Sequence, residues 1–139
     1  MAETFTRSAC RHTERAVGGT TVVQLYGEID FFTPPPLAER LDELTAVSRP
    51  GLVVDLRAVS FIDCAGLRLL CQARTRAAER HGRLLLVADG GQFRRLLRAA
   101  GLDRVFEIYD RLPEALAALT ARPGTLGTGR PDQSESRRR

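Results

Sequence analysis

Asp63-Cys64-Ala65-Gly66 is the stretch of this 139-residue chain whose residue types and spacing suit chemistry. An apolar run ends at Asp55, a compact connector follows, and Asp63 is placed to open a helix by accepting an amide hydrogen from Ala65 or Gly66. The first turn holds small residues, and helix-start amides lack internal acceptors, which suits anion binding or partner docking. Two readings stay open for Asp63 and Gly66: a cap and a close backbone approach that serve the fold alone, or a helix start kept low and open for a partner. Cys64 lies at the positive end of that helix, where a thiolate is stabilised. A redox sensor is conceivable there, but a small near-buried residue is the favoured reading. Cys71 is two turns further along, roughly 10 Å at the helical rise, too far for a disulfide in an intact helix; it reads as core.

Other candidates are weaker. Asp30, Asp55 and Asp63 all fall near strand ends, where capping and turn roles are commoner than a shared metal. His81, beside Gly82 at a helix end, suits the C-terminal dipole better than base catalysis. Gly90-Gly91 is too little for a phosphate loop. No nucleophile–base pair stands out, so no catalytic residue, metal or cofactor is assigned and an enzyme is not expected.

Hydrophobic periodicity supplies the elements that must position these residues. An irregular arm with a weak edge strand around Phe5 to Thr13 leads to a turn at Gly18-Gly19. Val23, Leu25 and Ile29 alternate with Gln24, Tyr26 and Glu28, predicting a strand with one buried face. Thr33 before Pro34-Pro35-Pro36 reads as an N-cap, with Leu37, Leu41 and Leu44 as the helix stripe and Arg49-Pro50-Gly51 as its stop. Leu52 to Leu56 is a strand apolar on both faces, as in a central parallel position. The helix from Cys64 to about Arg80 has Leu67, Leu70, Cys71, Ala77 and Ala78 as its inner stripe, with Gly82 as its cap. Leu84 to Ala88 is a second buried strand, and Asp89 with Gln92 resembles a capping box. Phe93, Leu96, Leu97 and Ala100 form the next helix face, ended by Gly101. Val105 to Tyr109 is a last strand, and Leu112, Leu116 and Leu119 stripe a short final helix with Pro113 in its first turn. The alternation predicts one α/β domain over residues 1–120: a mostly parallel four- to five-stranded sheet with an antiparallel edge strand and about four helices. Residues 121–139 read as a disordered Arg-rich tail.

Composition narrows the function classes. Apolar residues make up 43% of the chain, enough for a real core, yet no run reaches membrane-spanning length. No secretory signal is visible, and three cysteines without metal-ligand spacing suggest a reducing compartment, hence the cytoplasm. The net charge of +4 is carried by Arg without Lys, and the last ten residues supply +2 of it. The rest is too weakly basic to argue for nucleic acid.

Taken together, Gly27-Glu28-Ile29-Asp30, Val53-Val54-Asp55-Leu56, Val59-Ser60-Phe61-Ile62-Asp63 and Gly66-Leu67 resemble a STAS domain, specifically the bacterial anti-sigma factor antagonists. Gly82 and Gly101-Leu102 fall where that family has later glycine turns, and the resemblance covers about residues 5–120. It implies a small α/β domain without enzymatic activity that binds an anti-sigma factor, usually a serine kinase of the histidine-kinase-like ATPase type, and so frees a sigma factor. Family members are switched off by phosphorylation of the serine directly before glycine in an Asp-Ser-Ser-Gly motif. Here that position is Ala65, which has no hydroxyl, so the resemblance implies docking without control at this site. It also implies a partner surface on the Asp63–Leu69 turn, comprising Asp63, Cys64, Ala65, Gly66, Leu67, Arg68 and Leu69, joined by Phe32 from the loop after Asp30. Leu69 and Phe32 packing under neighbouring loops is the alternative. The expected state is a monomer or weak dimer with no direct nucleic-acid contact and no membrane insertion. An accessory subunit of an ABC-type lipid transporter, or a scaffold in a signalling complex, is the alternative function.

Overall fold

Alternate apolar residues on the central strands point to two different helical layers, and this pattern sets the architecture. The structure, a computed structural model, describes residues 11–121. In chain order the elements are β1 (Arg11–Val17), β2 (Thr20–Ile29), α1 (Pro35–Thr45), β3 (Gly51–Ile62), α2 (Cys64–Glu79), β4 (Arg83–Val87), α3 (Gln92–Ala99), β5 (Glu107–Tyr109) and α4 (Leu112–Thr120). The five strands lie in the order β1-β2-β3-β4-β5, with β1 antiparallel to β2 and the other pairs parallel. Leu52, Val54 and Leu56 of β3, with Leu84 and Leu86 of β4, pack against α1, α2 and α3. Val53, Leu85 and Val87 face the other way, onto Leu112 and Ala115 of α4. Strands covered on both faces read as continuous apolar runs, as these do. Full burial of a Leu or Val side chain stabilises the fold by about 1.5–3 kcal/mol, and a dozen large side chains, Leu25, Leu70 and Val54 among them, are essentially inaccessible to water.

Several expectations are corrected. The edge strand runs over Arg11–Val17; the expectation from Phe5 onward falls mostly outside the described residues, as does the tail after Ala121. Val22 is buried although β2 was expected to bury one face, because α4 also covers this part of the sheet. The N-cap of α1 is Pro34, without a side-chain bond. Thr33 instead turns back, its Oγ1 accepting from the Asp30 N–H at 2.8 Å. α3 starts at Gly91 with no side-chain cap, so the Asp89–Gln92 capping box does not form. Ala78 is exposed and Ala73 takes its place in the α2 stripe. At the end of α2 the left-handed residue is His81, at φ 64°. Gly82 serves a different purpose: a Cβ there would overlap the Pro50 backbone, and the adjacent Arg83 N–H donates to Pro50 O at 2.8 Å. The last strand is shorter than expected, with Phe106 buried just before it.

The largest departure positions the site. The connector expected after Asp55 is strand: β3 continues through Ile62, following β2 with two register shifts. Its pairing with β4 stops at Asp55↔Val87. At that point Asp55, 1% exposed, accepts from the Arg57 N–H at 3.0 Å and binds the Arg57 guanidinium through both oxygens, at 2.9 and 2.7 Å. A buried carboxylate needs such compensation, and this one satisfies the Arg57 amide, two residues beyond the end of the β3–β4 ladder. The same contact holds the Arg57 pKa above its ordinary value.

Candidate functional site

The parallel strands β2 and β3 end side by side, at Ile29↔Ile62, so the loops that follow them meet. Asp63 joins these loops. Its Oδ1 accepts from the Gly66 N–H at 3.0 Å and caps α2. Its Oδ2 accepts from the Phe31 N–H at 3.3 Å, and its own N–H donates to Ile29 O at 3.2 Å. Asp30 Oδ1 in turn accepts from the Phe32 N–H at 2.9 Å. Gly66 is buried beneath this junction, where a Cβ would overlap Ile29 O and press on Ile62. Of the two donors considered from sequence, the geometry selects the Gly66 amide over that of Ala65.

The result is a surface in which the first turn of α2 stands beside an aromatic pair. Phe31 is 76% exposed and Phe32 is 83% exposed, their rings edge to face with centroids 5.4 Å apart. Two adjacent aromatic side chains held out in water by hydrogen-bonded backbone are unusual, and aromatic anchors dominate many protein interfaces. Cys64 and Arg68 are exposed and Ala65 is half-buried. Cys64 therefore departs from the near-buried reading, since the carboxylate of Asp63 occupies the inner side of the cap. Leu67 is 4% exposed and belongs to the core; it and Gly66 support the surface from beneath. Leu69, expected as an exposed contact, is half-buried against the core. Phe31 and Phe61, the latter 51% exposed, were not singled out from sequence. The signal for Phe31 was present, an apolar doublet outside any periodic element.

The three aspartates do not converge. Asp55 is engaged by Arg57, while Asp30 and Asp63 each hold backbone amides. Among the described residues no group of three or more His, Cys, Asp or Glu is arranged to hold a metal ion. Cys71 is half-buried, and desolvation pushes its thiol pKa up, the direction expected for an inert core cysteine. His81 is exposed. No helix among the described residues is long and apolar enough to cross a membrane. Beyond the aromatic surface, an open pocket of about 350 Å³ lies where β3 outruns β4, lined in part by Val59, Phe61, Asp89 and Phe93.

Comparison with known proteins shows what the chain resembles in sequence and fold. Anti-sigma-F factor antagonist RsfB from Mycobacterium tuberculosis is 34% identical over 101 residues, covering 73% of this chain and 82% of the relative. The crystal structure of an anti-sigma factor antagonist from Mycobacterium paratuberculosis superposes with a TM-score of 0.73 at 33% identity, covering 83% of this chain and 97% of that one. The murine anion transporter Slc26a9 contains a similar fold, with a TM-score of 0.65 at 16% identity, covering 78% of this chain and 19% of that one; at such identity the likeness is one of fold alone. Residues 13–115 match the STAS domain, and the chain belongs to the STAS domain family.

Proposed function

We propose that this protein is an anti-sigma factor antagonist, a cytoplasmic binding protein rather than an enzyme, that docks on an anti-sigma factor and frees a sigma factor for transcription. The observation that carries this reading is the Asp63 clamp, which holds the exposed Phe31–Phe32 pair beside the first turn of α2. Relatives above 30% identity named as antagonists support the same class. The docking surface comprises Phe31, Phe32, Cys64, Ala65 and Arg68, with Leu69 at its inner margin and Asp63, Gly66 and Leu67 as its support. The partner is an anti-sigma factor of the histidine-kinase-like ATPase type, met by a monomer or weak dimer.

Ala65 determines how docking is controlled. A phosphate there would add about −1.5 to −2 charge to the surface. Alanine accepts none, so the surface stays in its unmodified, docking-competent form. A position without a hydroxyl would also suit the ABC-type transporter and scaffold alternatives, and no comparison favours the transporter reading.

The test is capture of partners from a lysate of the source organism on the immobilised full chain, followed by titration of the purified partner. Recovery of a small kinase-like ATPase is expected. Replacing Phe31 and Phe32 together with Ala should weaken binding about 30-fold, corresponding to about 2 kcal/mol for an aromatic hot spot. Ala65→Ser should become phosphorylated by that ATPase and lose affinity. Recovery of transporter subunits instead would make the sigma-factor assignment wrong.

A further inference from the structure

Beyond Asp55, strand β3 has a strand neighbour on one side among the described residues. Pairing with β2 runs on to Ile29↔Ile62, whereas pairing with β4 ends at Asp55↔Val87. The chain leaves β4 at Ala88 to enter α3, and the space beside the overhanging residues is the pocket of about 350 Å³. Leu56, Val59, Phe93 and Leu96 give it an apolar lining, and Phe61 stands at it half exposed. A bare strand edge is ordinarily blunted or covered. Here one group is blunted, the Arg57 N–H, which Asp55 accepts at 3.0 Å. Past Arg57 the edge facing away from β2 meets no strand among the described residues.

We propose that this overhang and its pocket form a docking groove for an extended, uncharged peptide segment of a partner protein, which adds as a strand beside residues 58–61 and lays a large apolar side chain among Val59, Phe93 and Leu96. The occupant follows from the chemistry of the walls. A strand edge offers amides and carbonyls at a spacing that another peptide backbone matches, and an adjoining apolar pocket selects alternate side chains. Charge supports a neutral occupant: Arg57 is bound by Asp55 in a 2.7 Å ion pair, and the remaining acidic wall residue, Asp89, faces the same guanidinium. A phosphate-bearing ligand would find no uncompensated cation among the pocket residues. The groove also continues into the surface described above, because Ile62 at its end leads directly to Asp63. A partner gripping Phe31 and Phe32 can run a segment along β3 in the same encounter. The groove deepens the antagonist reading as to what the partner presents, although its own geometry is independent of the partner's identity.

The probe is a peptide selected on the full chain from a random library of seven-residue segments displayed on phage. Selected sequences should alternate apolar and polar residues. In amide NMR spectra one such peptide should shift residues 57–61 and 93–96. Phe61→Arg, at a half-exposed position, and Val59→Trp, which fills the pocket, should each weaken it at least tenfold. Glu39→Gln, at an exposed position of α1 outside the groove, should leave its affinity unchanged. Selection of no alternating sequence, shifts centred elsewhere, or full affinity in Phe61→Arg would overturn the proposal. Dimerisation of the chain that Phe61→Arg abolishes would overturn it too, since a second copy would then be the occupant. Loss of peptide binding with retained capture of the ATPase removes the groove alone. Peptide binding in the groove without any ATPase partner removes the antagonist reading alone.

Discussion

Asp63→Ala is the substitution with the most to reveal, because one carboxylate holds both halves of the proposed docking surface. It removes an N-cap bond of 3.0 Å to Gly66 and a weaker bond of 3.3 Å to Phe31. The cap contributes about 1 kcal/mol. The longer bond adds about 0.5 kcal/mol, and the carboxylate at the positive end of α2 about 0.5 kcal/mol more. Together these predict a loss of about 2 kcal/mol, or a Tm lower by about 8 °C at about 4 °C per kcal/mol for a domain of this size. Asp63→Asn keeps an oxygen acceptor toward Gly66 while losing charge, so a fall of about 3 °C is expected. Thermal melts followed by far-ultraviolet circular dichroism measure both, and amide exchange at Phe31 and Gly66 reports which bond opened. A Tm for Asp63→Ala within about 2 °C of wild type would refute the capping argument. Equal losses for Ala and Asn would show that charge, not acceptor geometry, holds the junction.

Three further outcomes are expected. Gly82→Ala forces a methyl into the Pro50 backbone, which cannot yield as a flexible side chain can; a loss of about 1–3 kcal/mol in urea unfolding is expected, and an unchanged midpoint would contradict that contact. Among the described cysteines, Cys64 is exposed while the Cys71 thiol is raised by burial; iodoacetamide at neutral pH should therefore modify Cys64 first, with peptide mass spectrometry to locate the adduct, and faster labelling of Cys71 would reverse the assignment. Glu14 is held below its usual pKa of 4.5 by its hydrogen bonds with Arg40, with His12 a smaller contributor. A depressed carboxylate contributes stability above its unfolded pKa and loses it as pH falls through the folded value. The stability advantage over Glu14→Gln should accordingly be full near neutrality and shrink below about pH 4.5; an advantage constant down to pH 3 would exclude linkage to Glu14.

The order of elements was legible in the sequence because burial leaves a local periodicity. The two-faced apolar runs at Leu52–Leu56 and Leu84–Ala88 announced central strands, and Asp63 announced a helix start. Element ends were less legible. The Asp89 cap and the Thr33 cap are reasonable local pairings that lost to alternatives: Thr33 satisfies the Asp30 amide, and α3 begins without a side-chain cap. The strand from Arg57 to Ile62 looked like a connector because its residues are mostly exposed, and nothing local reveals that β2 continues beside it.

The same division applies to the site. Sequence alone determined that residue 65 has no hydroxyl, that Phe32 follows a strand end and that Gly66 sits where a side chain is unwelcome. Tertiary structure decided that Phe31 joins Phe32 at the surface, that Leu67 is core and Leu69 half-covered, and that one Asp63 carboxylate links segments more than thirty residues apart. It also decided that β3 outruns β4 and leaves an edge that no strand among the described residues covers. These features depend on which strands lie side by side and where each one stops. Strand pairing is a long-range choice fixed when the sheet buries its two faces, and no window of neighbouring residues carries it.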